Sequence, residues 1–155
     1  MQFKAKAVCV ACICLGLSAI ASAVEKKIER ADLPPAVQKT ADDQSQGSIV
    51  RGYSKDKEDG KLEYEVQMTS NGHSKDVTID PDGHLLEVEE EVALNSLPTS
   101  VQSAIKAKAA KGQITKIESL TKHGSVVAYE AQVRTGGRHS EIQVGPHGEV
   151  LGHEE

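Results

Sequence analysis

Residues 64–90, YEVQMTSNGHSKDVTIDPDGHLLEVEE, are repeated as residues 129–155, YEAQVRTGGRHSEIQVGPHGEVLGHEE. The two segments align without a gap at an offset of 65 residues. They share a Tyr-Glu-x-Gln start (Tyr64, Tyr129) and a Pro-x-Gly turn ending at Gly83 and Gly148. A second match, LPPAVQKTA at 33–41 with LPTSVQSAI at 97–105, precedes them. Self-similarity over this length predicts a duplicated structural unit.

Each copy is predicted to begin with a helix. Apolar residues recur at every fourth position, as at Leu33, Val37 and Ala41, which places them on one helical face. We expect Asp32 and Ser96 to cap the two helices, because each is followed by Leu-Pro and proline is favoured at a helix start.

Four strands are expected after each helix. KLEYEVQMT at 61–69 alternates apolar and polar residues, as half-buried strands do. Asn71-Gly72 and Gly136-Gly137 are dipeptides of tight hairpins. The closing strands are expected at 85–88 and 150–153. The predicted fold is therefore α+β, with two tandem α-β-β-β-β repeats, each a helix packed on an antiparallel sheet.

The segment TIDPDGHLLEVEE at 78–90 allows two interpretations. Its acidic residues and glycine resemble a calcium-binding EF-hand loop, although Thr78 occupies the first ligand position. Alternatively, Asp80-Pro81-Asp82-Gly83 forms a type I turn between two strands. The second copy retains Pro146 and Gly148 and replaces both aspartates, so the shared feature is the turn. The sequence favours the hairpin.

The N-terminus has the organisation of a secretory signal peptide. Lys4 and Lys6 precede an apolar run from residue 7 to 20, and ASA at 21–23 fits a cleavage site between Ala23 and Val24. A retained anchor is the alternative, although the run is shorter than the roughly 20 residues that span a bilayer. The predicted organisation is a signal peptide (1–23), a short N-terminal segment (24–32), repeat 1 (33–92), a linker (93–96) and repeat 2 (97–155).

Composition limits the functional classes. All three cysteines lie within residues 1–23, so the mature chain has no thiol for disulfides, catalysis or metal binding. Loss of two lysines with the signal peptide changes the formal charge from −5 to −7. An acidic chain with three tyrosines as its mature aromatic residues is poorly suited to nucleic acid. The expected location is the periplasm or the exterior.

The LP..V helix start, the YE.Q strand and the endings PDGHLLEVEE and GPHGEVLGHEE resemble PepSY and PepSY-like domains. The resemblance extends from Leu33 to Glu155. It implies a fold similar to the β-lactamase inhibitor protein, with helices on one face of an antiparallel sheet. It also implies an inhibitory or protein-binding role, as in the propeptides of metallopeptidases. The motifs of the family include no catalytic residues, so the resemblance transfers none.

The predicted function is binding or inhibition of another exported protein or peptide, such as a peptidase, through the sheet face without helices. Strand residues that alternate with the buried set would line that open face: Glu63, Glu65, Gln67, Glu130, Gln132 and Arg134. We expect no enzymatic activity and no cofactor, because the mature chain has no cysteine, phosphate loop or HExxH motif, and adjacent His139 and Ser140 would point to opposite faces of a strand.

A metal-binding protein is the alternative function. All six histidines follow the predicted cleavage site, and His139, His147 and His153 lie in the second copy together with C-terminal carboxylates. Imidazole and carboxylate groups can hold zinc or copper. No pair has an H-x-H or H-x3-H spacing, however, and most of these histidines are in or beside predicted turns.

Overall fold

The computed structural model describes residues 25–58 and 60–151. Two helices, α1 (Pro35–Gln44) and α2 (Thr99–Ala109), accompany eight strands. The strands are β1 (Lys26–Ile28), β2 (Ile49–Glu58), β3 (Lys61–Ser70), β4 (His73–Ile79), β5 (Leu85–Glu91), β6 (Gln113–Lys122), β7 (Ser125–Thr135) and β8 (Arg138–Val144). A short 3-10 turn precedes each helix, at Arg30–Asp32 and Leu94–Ser96. The mixed α+β class is confirmed.

All eight strands form one antiparallel sheet in sequence order. The halves of the chain are joined by the pairing of β5 with β6, in which Glu89 lies opposite Leu120. The sequence had not indicated whether the sheet would be continuous. Because strand residues alternate between faces, this single register assigns every side chain of both halves to one of two common surfaces.

One face of the sheet contains the hydrophobic core. Val37 and Ala41 of α1 pack with Val66, Val77 and their neighbours in the first half. In the second half, α2 packs through its buried residues against Ile117, Ala131 and Val144. Val66 and Val77 are directly opposite each other in the ladder, as the alternating pattern predicted. Both helices therefore cover the same face, called here the helix face, and the opposite one is called the open face.

The Asp80–Gly83 segment joins two strands, so the hairpin interpretation is confirmed. The Gly83 N–H donates to the Asp80 carbonyl at 3.0 Å, which closes a four-residue turn. Asp80 Oδ1 also accepts hydrogen bonds from the backbone N–H groups of Asp82 and His84. Asp80 Oδ1, which the EF-hand interpretation would use as a calcium ligand, thus stabilises the turn by accepting backbone hydrogen bonds.

The predicted helix caps are wrong. Pro34 and Pro98 occupy the positions that precede α1 and α2, whereas Asp32 and Ser96 end the 3-10 turns. Asp32 instead accepts a hydrogen bond from the Glu29 N–H, at 3.0 Å. The two prolines cannot donate a backbone hydrogen bond, which makes them suitable for the first residues of a helix.

The predicted closing strand of the second copy is also wrong at its start. Val150 and Leu151 are not in a strand, and Val150 is 76% exposed. The rest of that segment, the signal peptide and its cleavage site at Ala23 and Val24 lie outside the described residues. Within residues 25–58 and 60–151, neither helix has an apolar stretch of the length that a membrane span requires.

Candidate functional site

The six residues predicted to line the open face do lie on that face. Glu63, Glu65 and Gln67 are on β3, where Glu65 pairs with Ser54 and Thr78 of the adjacent strands. Their counterparts, Glu130, Gln132 and Arg134, are on β7. Strands β4, β5 and β6 separate the two sets, so they form opposite borders of one wide surface.

Hydrogen bonds hold several of these side chains in place. Glu65 accepts from Ser54 Oγ and from Gln67 Nε2, both at 3.1 Å. Gln143 Nε2 donates to Glu130 at 3.1 Å. Except for Arg134, the six residues are half-buried. Adjacent strands on the same face thus supply partners for these side chains, which are held in place on the surface.

Between these borders lies a cluster of three carboxylates that the sequence interpretation missed: Asp76 on β4, Glu89 on β5 and Glu118 on β6. One oxygen from each lies within 4.8 Å of the others. The sequence indicated an acidic run at 87–91 but gave no reason to bring it against residue 118, since this requires the β5–β6 pairing. The cluster therefore spans the junction between the two halves of the sheet.

Two of the three carboxyl groups have raised pKa values. Burial, followed by the negative charge of Glu65, raises the pKa of Asp76 to about 6. For Glu89, burial, a hydrogen bond to Glu87 and the charges of nearby glutamates raise the pKa to about 8. Near neutral pH the Glu89 carboxyl is thus largely protonated and donates a hydrogen bond to Glu87. The open face has more carboxylates than its own cations can neutralise.

Glu118 is the most buried of the three carboxyl groups, with 3% of its surface exposed. Lys116 Nζ lies 2.5 Å from Glu118 Oε1, and Ser74 Oγ donates to the same oxygen at 3.4 Å. At the other end of β6, Lys122 pairs with Glu87 at 3.2 Å. Two lysines of β6 thus neutralise part of the negative charge on the centre of the open face.

A cavity of about 360 Å³ opens beside the cluster. Its walls include Glu63, Glu87, Glu89 and Glu130, with one cation, Lys122. Leu86 and Leu120 add apolar surface, and Leu120 is 2% exposed. The cavity is lined by residues from both halves of the chain. Its acidic lining is suited to binding a cationic or hydrogen-bonding group.

Of the histidines proposed as alternative metal ligands, the two that the structure describes, His139 and His147, belong to no group of potential ligand atoms. His139 is exposed on β8, His147 is exposed in the turn after β8, and His153 lies outside the described residues. Among the described residues, two groups of potential ligand atoms occur: Asp76, Glu89 and Glu118, and Asp80, Asp82 and His84. Neither includes His139 or His147, because β8 and its turn direct them to different parts of the surface.

The fold resembles solved structures from Bacteroides. A candidate periplasmic protein from Bacteroides eggerthii has a TM-score of 0.63 at 20% identity, over 77% of this chain and 86% of that one. A BLIP-like protein from Bacteroides fragilis has a TM-score of 0.57 at 19% identity, over 79% and 86%. A DUF2874 family protein from Bacteroides ovatus has a TM-score of 0.59 at 20% identity, over 77% and 86%.

Comparison by sequence gives no family: no family model matches the chain, and no curated protein matches it. The structural likenesses are below 25% identity and concern the fold alone. This chain has the fold of a BLIP-like protein, with helices on one face of an antiparallel sheet.

Proposed function

We propose that this chain is an exported, non-enzymatic binding protein of the periplasm. Its partner is another exported protein or peptide, such as a peptidase, and it binds or inhibits that partner through the open face. The signal-peptide pattern of residues 1–23 supports export. The likeness in fold to a candidate periplasmic protein supports the same compartment.

The internal organisation we propose is two PepSY-like repeats, residues 33–92 and 97–155. The element order supports a duplication, since each helix is followed by an antiparallel set of strands. The turn glycines support it as well: Gly83 lies against Ala36 of α1, and Gly148 lies against Ser100 of α2. The second repeat has one described strand fewer than the first, which leaves β8 at the end of the sheet.

The observation that most favours binding at the open face is its charge. Within the described residues, the helices pack against the other face, and eleven carboxyl groups alternate onto this one. They are Asp56, Glu58, Glu63, Glu65, Asp76, Glu87, Glu89, Glu91, Glu118, Glu130 and Glu141. A partner segment with lysine or arginine side chains would complement this surface.

The raised pKa values support a cationic partner in particular. Burial and neighbouring carboxylates disfavour the ionised forms of both groups, so Glu89, with a pKa of about 8, is largely protonated at neutral pH, and Asp76, with a pKa of about 6, binds its proton in mildly acidic solution. An ammonium or guanidinium group placed beside them would favour ionisation and release those protons. Binding should therefore be tighter at low ionic strength and should release protons to the solvent.

The experiment compares charge-removing variants that retain the shape of the surface. Glu63→Gln, Glu65→Gln and Glu130→Gln are combined in the mature chain, since glutamine has the shape of glutamate and retains one accepting oxygen for the bond from Ser54 or from Gln143. The control combines Glu25→Gln, Asp43→Asn and Glu90→Gln, which removes the same number of charges away from the open face. Each protein is titrated with a synthetic peptide of alternating lysine and threonine and used to capture partners from envelope extracts.

We expect the open-face variant to lose peptide affinity and to capture less of a basic envelope protein, while the control behaves like the wild type. Equal binding by the open-face variant and the wild type would contradict the proposal. Equal loss in both variants would also contradict it, because it would indicate attraction to net charge rather than to this face.

A further inference from the structure

The two ends of the sheet differ. Within residues 25–58 and 60–151, the end strands are β1, with three residues, and β8, with seven. Strand β8 pairs with β7 without a register shift, from the pair of Val144 with Tyr129 to the pair of Arg138 with Thr135. It has no proline, and residues 138–141 are exposed. An edge of this kind can pair with another strand unless something blocks it.

The outward backbone groups of β8 can be identified from two hydrogen bonds. The Gly145 N–H donates to the carbonyl of Glu149, which follows the turn away from β7, at 2.9 Å. Lys108 Nζ donates to the Gln143 carbonyl at 3.0 Å. The N–H and C=O groups of successive residues point to alternate sides of a strand. The backbone groups of His139 and Glu141 therefore point away from β7, as those of Gln143 and Gly145 do.

Part of this edge is therefore already occupied. Lys108 covers the carbonyl at Gln143, and the turn that follows β8 bonds at Gly145. For the outward backbone groups of His139 and Glu141, the described residues supply no partner. Within residues 25–58 and 60–151, four backbone groups of one short stretch, two N–H and two C=O, thus have no partner.

We propose that this stretch binds a second copy of the chain, with β8 antiparallel to β8 about a two-fold axis at Ser140. His139 then lies opposite Glu141 of the second copy, and Glu141 lies opposite His139 of the second copy. Both pairs have outward-facing backbone groups, so they exchange four hydrogen bonds across the axis. Each also places an imidazole beside a carboxylate, and opposite-type pairs of this kind stabilise adjacent strands.

The competing registers are worse. An axis at Glu141 would place two carboxylates directly opposite each other, which destabilises a strand pair. An axis at Ile142 would use the Gln143 carbonyl that Lys108 already occupies. Pairing of β8 with β1 of another copy would offer only three residues, among them Lys26 and Lys27, and would generate an open chain of molecules. The closed pair about Ser140 combines the open faces of both copies into one surface.

Amide hydrogen exchange of the mature chain tests this arrangement at individual residues. The amides of His139 and Glu141 should exchange rapidly at low micromolar concentration and slowly near millimolar concentration. The Ser140 amide, which faces β7, should be protected at both concentrations. Sedimentation equilibrium over the same range should show a monomer–dimer equilibrium. Protection of His139 and Glu141 at every concentration would overturn the proposal, because it would mean that the chain covers its own edge.

Variants of β8 separate edge pairing from other association. Glu141→Pro removes an outward N–H and no bond to β7, so the chain should fold and remain monomeric. Glu141→Lys should weaken the dimer roughly tenfold, and adding His139→Glu should restore it by exchanging the charges. Asp82→Lys, with the same charge change in the distant turn, is the control and should dimerise normally. A monomeric wild type, a dimer that persists in both single variants, or equal weakening in the control would overturn the proposal.

Discussion

Gly83 lies so close to Ala36 that a Cβ atom on the glycine would be 2.8 Å from the Ala36 carbonyl oxygen. Thr40 Oγ1, one turn further along α1, donates to the Gly83 carbonyl at 2.6 Å. In the second half, a Cβ on Gly148 would be 2.7 Å from the carbonyl oxygen of Ser100. The turns that follow β4 and β8 thus fix the starts of both helices on the sheet.

Gly83→Ala should destabilise the protein more than Gly72→Ala. Both glycines have positive φ, +88° and +90°, so both variants incur backbone strain of roughly 1–2 kcal/mol. A Cβ on Gly72 would meet nothing within 4 Å, whereas one on Gly83 would collide with α1. The extra cost at Gly83 should be about 1–3 kcal/mol, measured by urea unfolding. Equal losses in the two variants would mean that the contact with α1 is unimportant.

Lys116→Met should be strongly destabilising, because it would leave Glu118 buried without its ion-pair partner. The expected loss is about 3 kcal/mol in the free energy of unfolding. Lys122→Met removes a more exposed partner of Glu87 and should cost about 1 kcal/mol or less. Adding Glu118→Gln to Lys116→Met should recover much of the stability. No recovery in the double variant would contradict the assignment of the loss to an unpaired charge.

Stability should fall as the pH rises from about 4 to about 8. The pKa of Glu89 is raised from 4.5 to about 8, and that of Asp76 from 3.8 to about 6, so the folded state retains protons that the unfolded state loses. The associated stability is complete below the unfolded pKa values and lost as the pH rises through the folded ones. Glu89→Gln should reduce the change in unfolding free energy over this pH range by on the order of 1–2 kcal/mol.

The control for this pH experiment is Glu90→Gln. Glu90 lies next to Glu89 in the chain but on the helix face, where it pairs with Lys75 at 3.3 Å. Its removal should leave the pH dependence as in the wild type. Urea unfolding at several pH values provides the measurement, and an unchanged slope in Glu89→Gln would contradict the protonation assigned to that residue.

Export should produce a mature chain that starts at Val24. The physical reason is the short apolar run followed by small residues at Ala21 and Ala23, the pattern that a signal peptidase cleaves. Mass spectrometry of protein recovered from the periplasm would determine the first residue. Recovery of the chain from membranes with Met1 intact would contradict this prediction.

Calcium should not stabilise the Asp80–Gly83 turn. One Asp80 oxygen accepts two backbone N–H bonds and the other lies 2.9 Å from His84 Nδ1, so few oxygens remain for a cation that takes six to eight. The melting temperature should be the same with and without millimolar calcium. A rise in melting temperature that Asp82→Ala abolishes would contradict the turn interpretation.

The sequence was sufficient to assign faces to strands, because alternation is a local property. Val66 and Glu65 lie on opposite faces as the pattern of β3 predicted, and the Asp80–Gly83 turn was identified from its proline and glycine. The pairing of β5 with β6 was not predictable, since no local pattern indicates which strands from different repeats will pair. The buried cluster around Glu118 depends on that pairing.

The sequence pattern also did not predict that some apolar side chains on the open face are buried. Leu120 and Ala128 are 2% and 0% exposed, although they lie on the face expected to be solvated. A register shift between Leu120 and Thr121 interrupts the alternation of β6 with β7. Such irregularities bend a sheet and bring neighbouring side chains over the strand, and they depend on tertiary packing more than on residue type.

The most direct test of binding at the open face is to map where a basic ligand contacts the mature chain. Backbone NMR spectra are recorded during titration with the alternating lysine–threonine peptide. We predict shifts on open-face residues of β3 to β7, with Asp76, Glu89 and Glu118 among the largest, and little change in α1 and α2. Shifts confined to the hairpin tips or the helices, or no saturable change at low ionic strength, would contradict the account.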